Sequence, residues 1–528
     1  MFDYLIQGAK LIDGSGAAPY EADLAISGSK IAAIGHQLGD AACIIDAKGY
    51  CLTPGFLDIH RHGDAEVFRE GFGELELRQG LTGIVNGACG LSLAPFGQTH
   101  RQELLRYLTP VTGTLDPAIP TASMAGYLQA LAERNLPIHV GMMVGGGTVR
   151  TDVYGYGPGD PEDYRPIHRK LEKALSEGAL AVSLGLGYAP ECFYSTEGMI
   201  RALAPLAQSN IPICVHLRQE GDMVCKAIEE MLTVSGALGC PLHISHLKAM
   251  GMRNWNRRIP KALELMEQAR AQGQKVSCDV YLYEAGSTQL LHLLPPDFLA
   301  GGVRAICARL RDPVQREILK ERIATGQDFD NIAHMIGWDN IILSSMQLPE
   351  HQQYIGLTVN EAAERLALDP VDCISDLLAK ENCAVTMIDR INCEADILRI
   401  LKDPYAAVIS DATYPEKGLP HPRVYGSYAR LFERFVCTLQ AISLPEAVRK
   451  ITSLPAEIMG IHGKGLLQVG MDADMNLFRP EELQEIGDYL NPRQFARGMD
   501  NVFVMGKPVI RNGLRTEHTP GQILRRAK

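Results

Sequence analysis

Six side chains in this sequence are suited to holding metal ions, and all of them lie at or just after apolar runs of strand character: His60, His62, Cys89, His216, His246 and Asp411. In Gly55-Phe56-Leu57-Asp58-Ile59-His60-Arg61-His62 the two histidines stand one residue apart. Side chains alternate faces along a strand, so both imidazoles turn the same way. Neutral imidazole is the commonest protein ligand for zinc-like ions, and such a pair is half of a metal site. Taken singly, each of the six has a plainer role as a solvated or core histidine, a buried small thiol or a helix-capping aspartate. Their joint placement at strand ends is hard to obtain by chance.

As a set they make chemical sense. Two imidazoles and a thiolate supply borderline and soft donors for one Zn2+, and a position stays open for water, as a catalytic site requires. Cys89 must bind as the thiolate, the form that the ion itself stabilises. His60, His62 and Asp411 are placed to hold a second ion, with the thiolate bridging. A bridge between two divalent ions needs to be anionic, and the candidate strand Ala179 to Gly185 contains no lysine that could be carboxylated for that purpose.

The elements that must position these residues form a repeating pattern. Strand-like runs end at His62, at Asn86, at Val144, at Gly185, at His216, at His246, at Tyr281 and at Asp411, and helical stretches separate them. Eight such runs predict an α/β fold, a closed (β/α)8 TIM-type barrel whose functional side chains come from the C-terminal ends of its strands. The run Cys383 to Ile388 is also strand-like and is able to replace one of the eight. Short strands with glycine turns fill residues 1–52, among them Ser27-Gly28-Ser29, and the same texture returns in 461–528. Both ends are therefore expected to build one small β-sandwich domain. The barrel is expected to span 53–284 and 346–460, interrupted after its seventh strand by an inserted subdomain, 285–345, lying over the active site. Within 346–460, Thr358-Val359-Asn360-Glu361 reads as a capping-box helix start.

Composition narrows the function. The chain has 528 residues, 46% of them hydrophobic and 21% charged, with a formal net charge of -11. That balance argues against a non-specific nucleic-acid binder and leaves a small molecule as the expected partner. No basic n-region precedes an apolar stretch and no window reaches a membrane span, so the expectation is a cytoplasmic protein without membrane attachment. The 13 cysteines include no CxxC pair, and reduced, mostly buried thiols are expected. Oligomeric state is not encoded in any of these features.

His60-Arg61-His62, Gly87-Ala88-Cys89-Gly90-Leu91-Ser92-Leu93-Ala94-Pro95, His216-Leu217-Arg218-Gln219-Glu220-Gly221-Asp222, Ile244-Ser245-His246-Leu247-Lys248, Asp279-Val280-Tyr281-Leu282-Tyr283, His421-Pro422-Arg423 and Gly470-Met471-Asp472-Ala473-Asp474 together resemble the N-acyl-D-amino-acid deacylases (D-aminoacylases) of the amidohydrolase superfamily. The likeness covers nearly the whole chain. It implies zinc-dependent hydrolysis of N-acyl-D-amino acids to a carboxylate and a free D-amino acid. It also implies one tight zinc at Cys89, His216 and His246, a weaker second site at His60 and His62, and Asp411 as general base. A clamp for the substrate carboxylate would be drawn from Lys248, Tyr283, Ser287 and Arg423, with Tyr188 nearby. Those residue types suit the role, since arginine grips a carboxylate in bidentate fashion, lysine adds a point charge and hydroxyls fix orientation.

This sequence departs from the family in two places. Arg61 stands where small polar residues are usual, and the segment from Asp411 to Gly418 differs from the commoner pattern. In addition, Thr288-Gln289-Leu290-Leu291-His292-Leu293 holds no arginine for an acidic side chain, so a strict N-acyl-D-glutamate preference is not favoured. The nearest rival is a cyclic amidohydrolase of the dihydroorotase or hydantoinase kind, in which strand four commonly bears a carboxylated lysine. A non-catalytic barrel scaffold is the rival from another class, opposed by the presence of all six ligands.

Overall fold

The structure is a computed structural model that describes residues 1–415 and 417–526. Glu416, in the segment after Asp411, and Ala527 and Lys528, at the end of the C-terminal β segment, lie outside the described residues. Its centre is built from parallel strands in two sheets. One joins Phe56–Asp58, Leu81–Asn86 and His139–Met142. The other runs from Val144–Gly145 through Val182–Gly185, Ile213–His216, Leu242–Ile244 and Val276–Val280 to Ala406–Val408. Nearly all of these strand residues are buried, as befits parallel strands covered on both faces.

The two sheets meet along both edges. On one side Met143 N donates to Asn86 O at 2.9 Å, Leu180 N to Met142 O at 2.8 Å and Val144 N to Ala181 O at 3.0 Å. On the other, Arg61 and Ala412 form a parallel bridge, flanked by Asp411 N to His60 O at 3.1 Å and His62 N to Ala412 O at 3.0 Å. The expected third strand is thus broken at Met143. The first ends its regular pairing at Asp58, and the bridge at Arg61 carries the chain on to the histidines.

Strands from both chain ends enter one nine-stranded sheet, in which Cys51–Pro54 lies between Phe2–Leu11 and Met475–Phe478. The sequence signals act locally here. Ser27 pairs with Lys30 around Gly28-Ser29, with Gly28 at φ +59, and Val504 pairs with Lys507 around Met505-Gly506, at φ +47 and +71. Positive φ at such turns matches the strand twist and is easiest for glycine. An aromatic cluster ties this sheet to the parallel strands: Phe56 packs on Tyr428, Phe432 and Phe478 with ring centroids 6.2, 5.6 and 5.9 Å away.

Between the seventh and eighth parallel strands the chain builds a separate antiparallel sheet of Gly286–Gln289, Ile341–Ser345 and Thr386–Asp389, with Thr386–Asp389 in the middle. Two sequence readings change as a result. The strand-like run at Cys383–Ile388 belongs to this sheet and takes no place among the parallel strands. A boundary at 345 would cut through the sheet, since its central strand lies beyond that point. Thr358 begins the helix Val359–Leu366 with the expected capping box. Among the described residues no helix is long and apolar enough to cross a membrane.

Candidate active site

The C-terminal ends of the parallel strands and the antiparallel sheet line a cavity of about 540 Å³ including its open mouth. His62, Cys89, His216, His246 and Asp411 line it, as do Lys248, Ser287, Arg423 and Tyr188. His60 lies just beneath, its ring 4.9 Å from that of His246. Ten of the eleven residues singled out in the sequence therefore converge.

Three overlapping groups of donors each lie within 4.8 Å: His60, His62 and Cys89; Cys89, His216 and His246; His60, His246 and Asp411. Cys89 Sγ stands 3.3 Å from both His60 Nε2 and His246 Nε2, and His216 Nδ1 is 3.1 Å from His246 Nε2. Bonds of about 2.0–2.1 Å to one tetrahedral ion would set imidazole nitrogens roughly 3.3 Å apart. The donor set and its spacing thus fit a zinc-type ion, and Cys89, His60 and His246 each belong to two of the groups. Two of the rings have a carboxylate against their other nitrogen, the support common for metal-binding histidines, whereas His62 Nδ1 and His216 Nε2 have no hydrogen-bond partner. His60 Nδ1 is 3.3 Å from Asp279 Oδ2, and His246 Nδ1 is 3.0 Å from Glu220 Oε1.

Electrostatics agree with this geometry. Burial alone would raise the Cys89 thiol, yet the neighbouring His60 and His246 hold it well below its ordinary value. Burial likewise opposes ionisation of Asp411, but Arg423, with His62 and His60, keeps it well below the usual carboxylate range. Asp411 Oδ2 takes an ion pair from Arg423 Nη2 at 2.9 Å, and Oδ1 faces His62 Nε2 at 3.3 Å and His60 Nε2 at 3.5 Å. Arg423 is fully buried at the start of the helix Arg423–Arg430, and its Nε and Nη1 have no hydrogen-bond partner. Lys248 is tethered to Glu220 at 2.7 Å.

Backbone shape aims several of these groups. Cys89, His246 and Asp411 have φ of +53, +34 and +51, uncommon for residues other than glycine and concentrated here at the ends of three strands. Gly185 allows the Cys89 loop its close approach, because a Cβ there would stand 2.2 Å from the Cys89 carbonyl oxygen.

One clamp residue read from the sequence lies elsewhere. Tyr283 turns away from the cavity, donates to Glu485 Oε1 at 2.6 Å and stacks under Arg430. Tyr281, two residues earlier, lines the cavity in its place with the Arg423 guanidinium 4.8 Å from its ring centre. Arg61 also acts outside the cavity. Alternation sends it opposite to the two histidines, where it meets Glu76 at 2.8 Å, Asp58 at 3.3 Å and the Tyr414 hydroxyl. Glu220, Asp279, His292 and Asp389 were not singled out as site residues. Glu220 and Asp279 lie inside strand-end motifs and His292 in the stretch from Thr288 to Leu293, whereas Asp389 carries no local signal.

No family model matches the chain. It is 32% identical to the N-acyl-D-aspartate deacylase of Alcaligenes xylosoxydans xylosoxydans, over 99% of this chain and 95% of that protein. It is 30% identical to the D-aminoacylase of the same organism, over 99% of this chain and 98% of that protein. Among solved structures, the N-acyl-D-glutamate deacylase of Bordetella bronchiseptica, complexed with zinc and a phosphonate inhibitor that mimics the tetrahedral intermediate, superposes with a TM-score of 0.84 at 28% identity, covering 99% of both chains. With the strand-end donor cluster, full-length likeness at this level identifies the chain as a member of the N-acyl-D-amino-acid deacylase (D-aminoacylase) family of the amidohydrolase superfamily.

Proposed function

We propose that this chain hydrolyses N-acyl-D-amino acids to a carboxylate and a free D-amino acid in a zinc-dependent reaction. The observation that carries the reading is a single cavity in which the donor set of Cys89, His216, His246, His60 and His62 adjoins an ionised Asp411, itself held by an arginine with two unused donors. The preference for the D configuration comes from the activities named for the relatives.

Cys89, His216 and His246 would hold the tighter ion, and His60 and His62 with Asp411 a weaker second one. A zinc ion bound there supplies Lewis-acid chemistry, polarising the acyl carbonyl and acidifying water. Asp411 accepts the proton of the attacking water and returns it to the departing amine, which leaves as the free amino acid. Its low pKa keeps it ionised for the first transfer. Arg423 offers Nε and Nη1 to the substrate carboxylate, with Lys248, Ser287 and Tyr281 beside it. The Tyr188 hydroxyl, 3.0 Å from Thr288 Oγ1, helps to shape the wall.

On the same reading the two parallel sheets are halves of one eight-stranded barrel, the nine-stranded sheet is the accessory β domain, and the segment after the seventh strand covers the site. The 13 free thiols support a reducing, cytoplasmic setting, and the net charge of -11 supports a small molecule rather than a nucleic acid as partner. The fourth parallel strand, Val182–Gly185, carries no lysine, which weighs against the cyclic amidohydrolase alternative.

The test is hydrolysis of paired D and L N-acetyl amino acids by zinc-loaded protein. Release of amine from the D series only, abolished by a chelator and restored by zinc, is expected. Equal rates on both series, or faster opening of a hydantoin ring, would overturn the proposal.

A further inference from the structure

Asp389 ends the central strand of the antiparallel sheet and lines the same cavity. Its side chain is buried, yet Oδ1 has no hydrogen-bond partner. Gly286 leaves room for it, since a Cβ at that position would come 2.9 Å from Asp389 Oδ1 and 3.3 Å from the Tyr281 hydroxyl. The cationic side chains of the cavity are committed to other carboxylates, Lys248 to Glu220 and Arg423 to Asp411. The cavity therefore presents two unmet needs: Arg423 lacks acceptors at Nε and Nη1, and Asp389 lacks a donor at Oδ1. A buried carboxylate without one is costly. An N-acyl amino acid with an aliphatic side chain would satisfy only the arginine.

We propose that Asp389 selects N-acyl-D-amino acids with an ammonium-bearing side chain, Oδ1 accepting a hydrogen bond from that ammonium while Arg423 holds the α-carboxylate. This assignment rests on the deacylase reading and names the substrate class for it. Burial pushes Asp389 up to about 6 against the opposing charges of Lys248 and Arg423, so at pH 7.5 it is mostly ionised. The same charge repels an acidic side chain, in keeping with the absence of arginine from Thr288 to Leu293.

The experiment compares kcat/KM of zinc-loaded enzyme for N-acetyl derivatives of D-ornithine, D-lysine, D-norleucine and D-glutamate, in the wild type and in Asp389→Asn and Asp389→Glu. The wild type should favour ornithine or lysine over norleucine by about ten- to hundredfold, with glutamate poorest. In Asp389→Asn the cation-to-norleucine ratio should fall toward one, and Asp389→Glu should restore part of it. Wild-type enzyme that turns over norleucine as well as or better than both cations overturns the assignment whatever the variants do. A ratio unchanged in Asp389→Asn does the same. Failure to hydrolyse any N-acetyl-D-amino acid would instead remove the deacylase reading beneath it.

Discussion

At the scale of single residues the site depends on a few groups whose neighbours set their charge. Cys89 is held as a thiolate beside three imidazoles, and Cys89→Ala should lose the tightly bound zinc and the activity together. Zinc content after dialysis and turnover check this; full zinc with near-normal turnover would return Cys89 to the role of a buried small residue. Asp411 tests the separation of proton transfer from metal binding. Asparagine keeps its shape and can still turn an oxygen toward an ion, but it cannot take up the proton. Asp411→Asn should therefore keep the zinc at Cys89, His216 and His246 while losing roughly 10²–10⁴-fold in turnover. Parallel loss of that zinc would make Asp411 chiefly a ligand. Arg423 meets both Asp411 and the proposed carboxylate position, and Arg423→Ala should cost about ten- to hundredfold in kcat/KM. If that variant discriminated N-acyl-D-amino acids from their amides as the wild type does, the clamp would lie elsewhere.

At the scale of elements, catalytic geometry is a property of strand ends pressed against one another. The fourth parallel strand ends in Gly185, whose amide donates to Glu191 Oε2 at 2.7 Å and whose missing side chain admits the Cys89 carbonyl. Alanine there would collide with backbone, which cannot rotate aside as a side chain can. Gly185→Ala should push the Cys89 loop outward, lowering zinc retention and costing about 1–3 kcal/mol of stability. Metal content and thermal unfolding measure both, and an unchanged zinc content would mean that the loop yields without moving its thiolate. The antiparallel sheet is the other decisive element, because its edge strand supplies Ser287 and its central strand Asp389 to the cavity wall.

At the scale of the whole molecule, a buried ion cluster joins the nine-stranded sheet to the parallel strands. Asp474 lies just before Met475–Phe478; its Oδ2 is 2.6 Å from Lys464 Nζ and 3.1 Å from His139 Nε2, and its Oδ1 accepts from Met505 N at 2.7 Å. Burial would raise this carboxyl, but His139 and Lys464 hold it far below the ordinary range. A folded-state pKa below the unfolded value of about 3.9 means stability that is fully present above that pH and lost as pH falls further. Asp474→Asn should lower Tm at neutral pH, by about 3–5 kcal/mol in stability. It should also flatten the decline of Tm below about pH 4. An identical decline in wild type and variant would show that Asp474 contributes nothing to the acid sensitivity.

What the sequence by itself determined is what local rules encode. Alternation along a strand put His60 and His62 on one face and Arg61 on the other, and strand-end position marked Cys89, His216, His246 and Asp411 before any fold was known. Glycine turns announced the hairpins at both chain ends, and Thr358 with Glu361 announced a helix start. Tertiary structure decided whatever depends on partners distant in the chain. Tyr281 and Tyr283 are two residues apart and indistinguishable by pattern; the second is drawn away because Glu485, from the other end of the chain, meets its hydroxyl. Thr386–Asp389 looks like any buried strand, and only pairing with Gly286–Gln289 and Ile341–Ser345 sets it in the cover rather than among the parallel strands. Asp389 reaches the cavity through that pairing alone. A periodic pattern records which face of an element is buried, whereas the neighbour that buries it is chosen by contacts spanning hundreds of residues, and no short stretch of sequence contains both sides of such a contact.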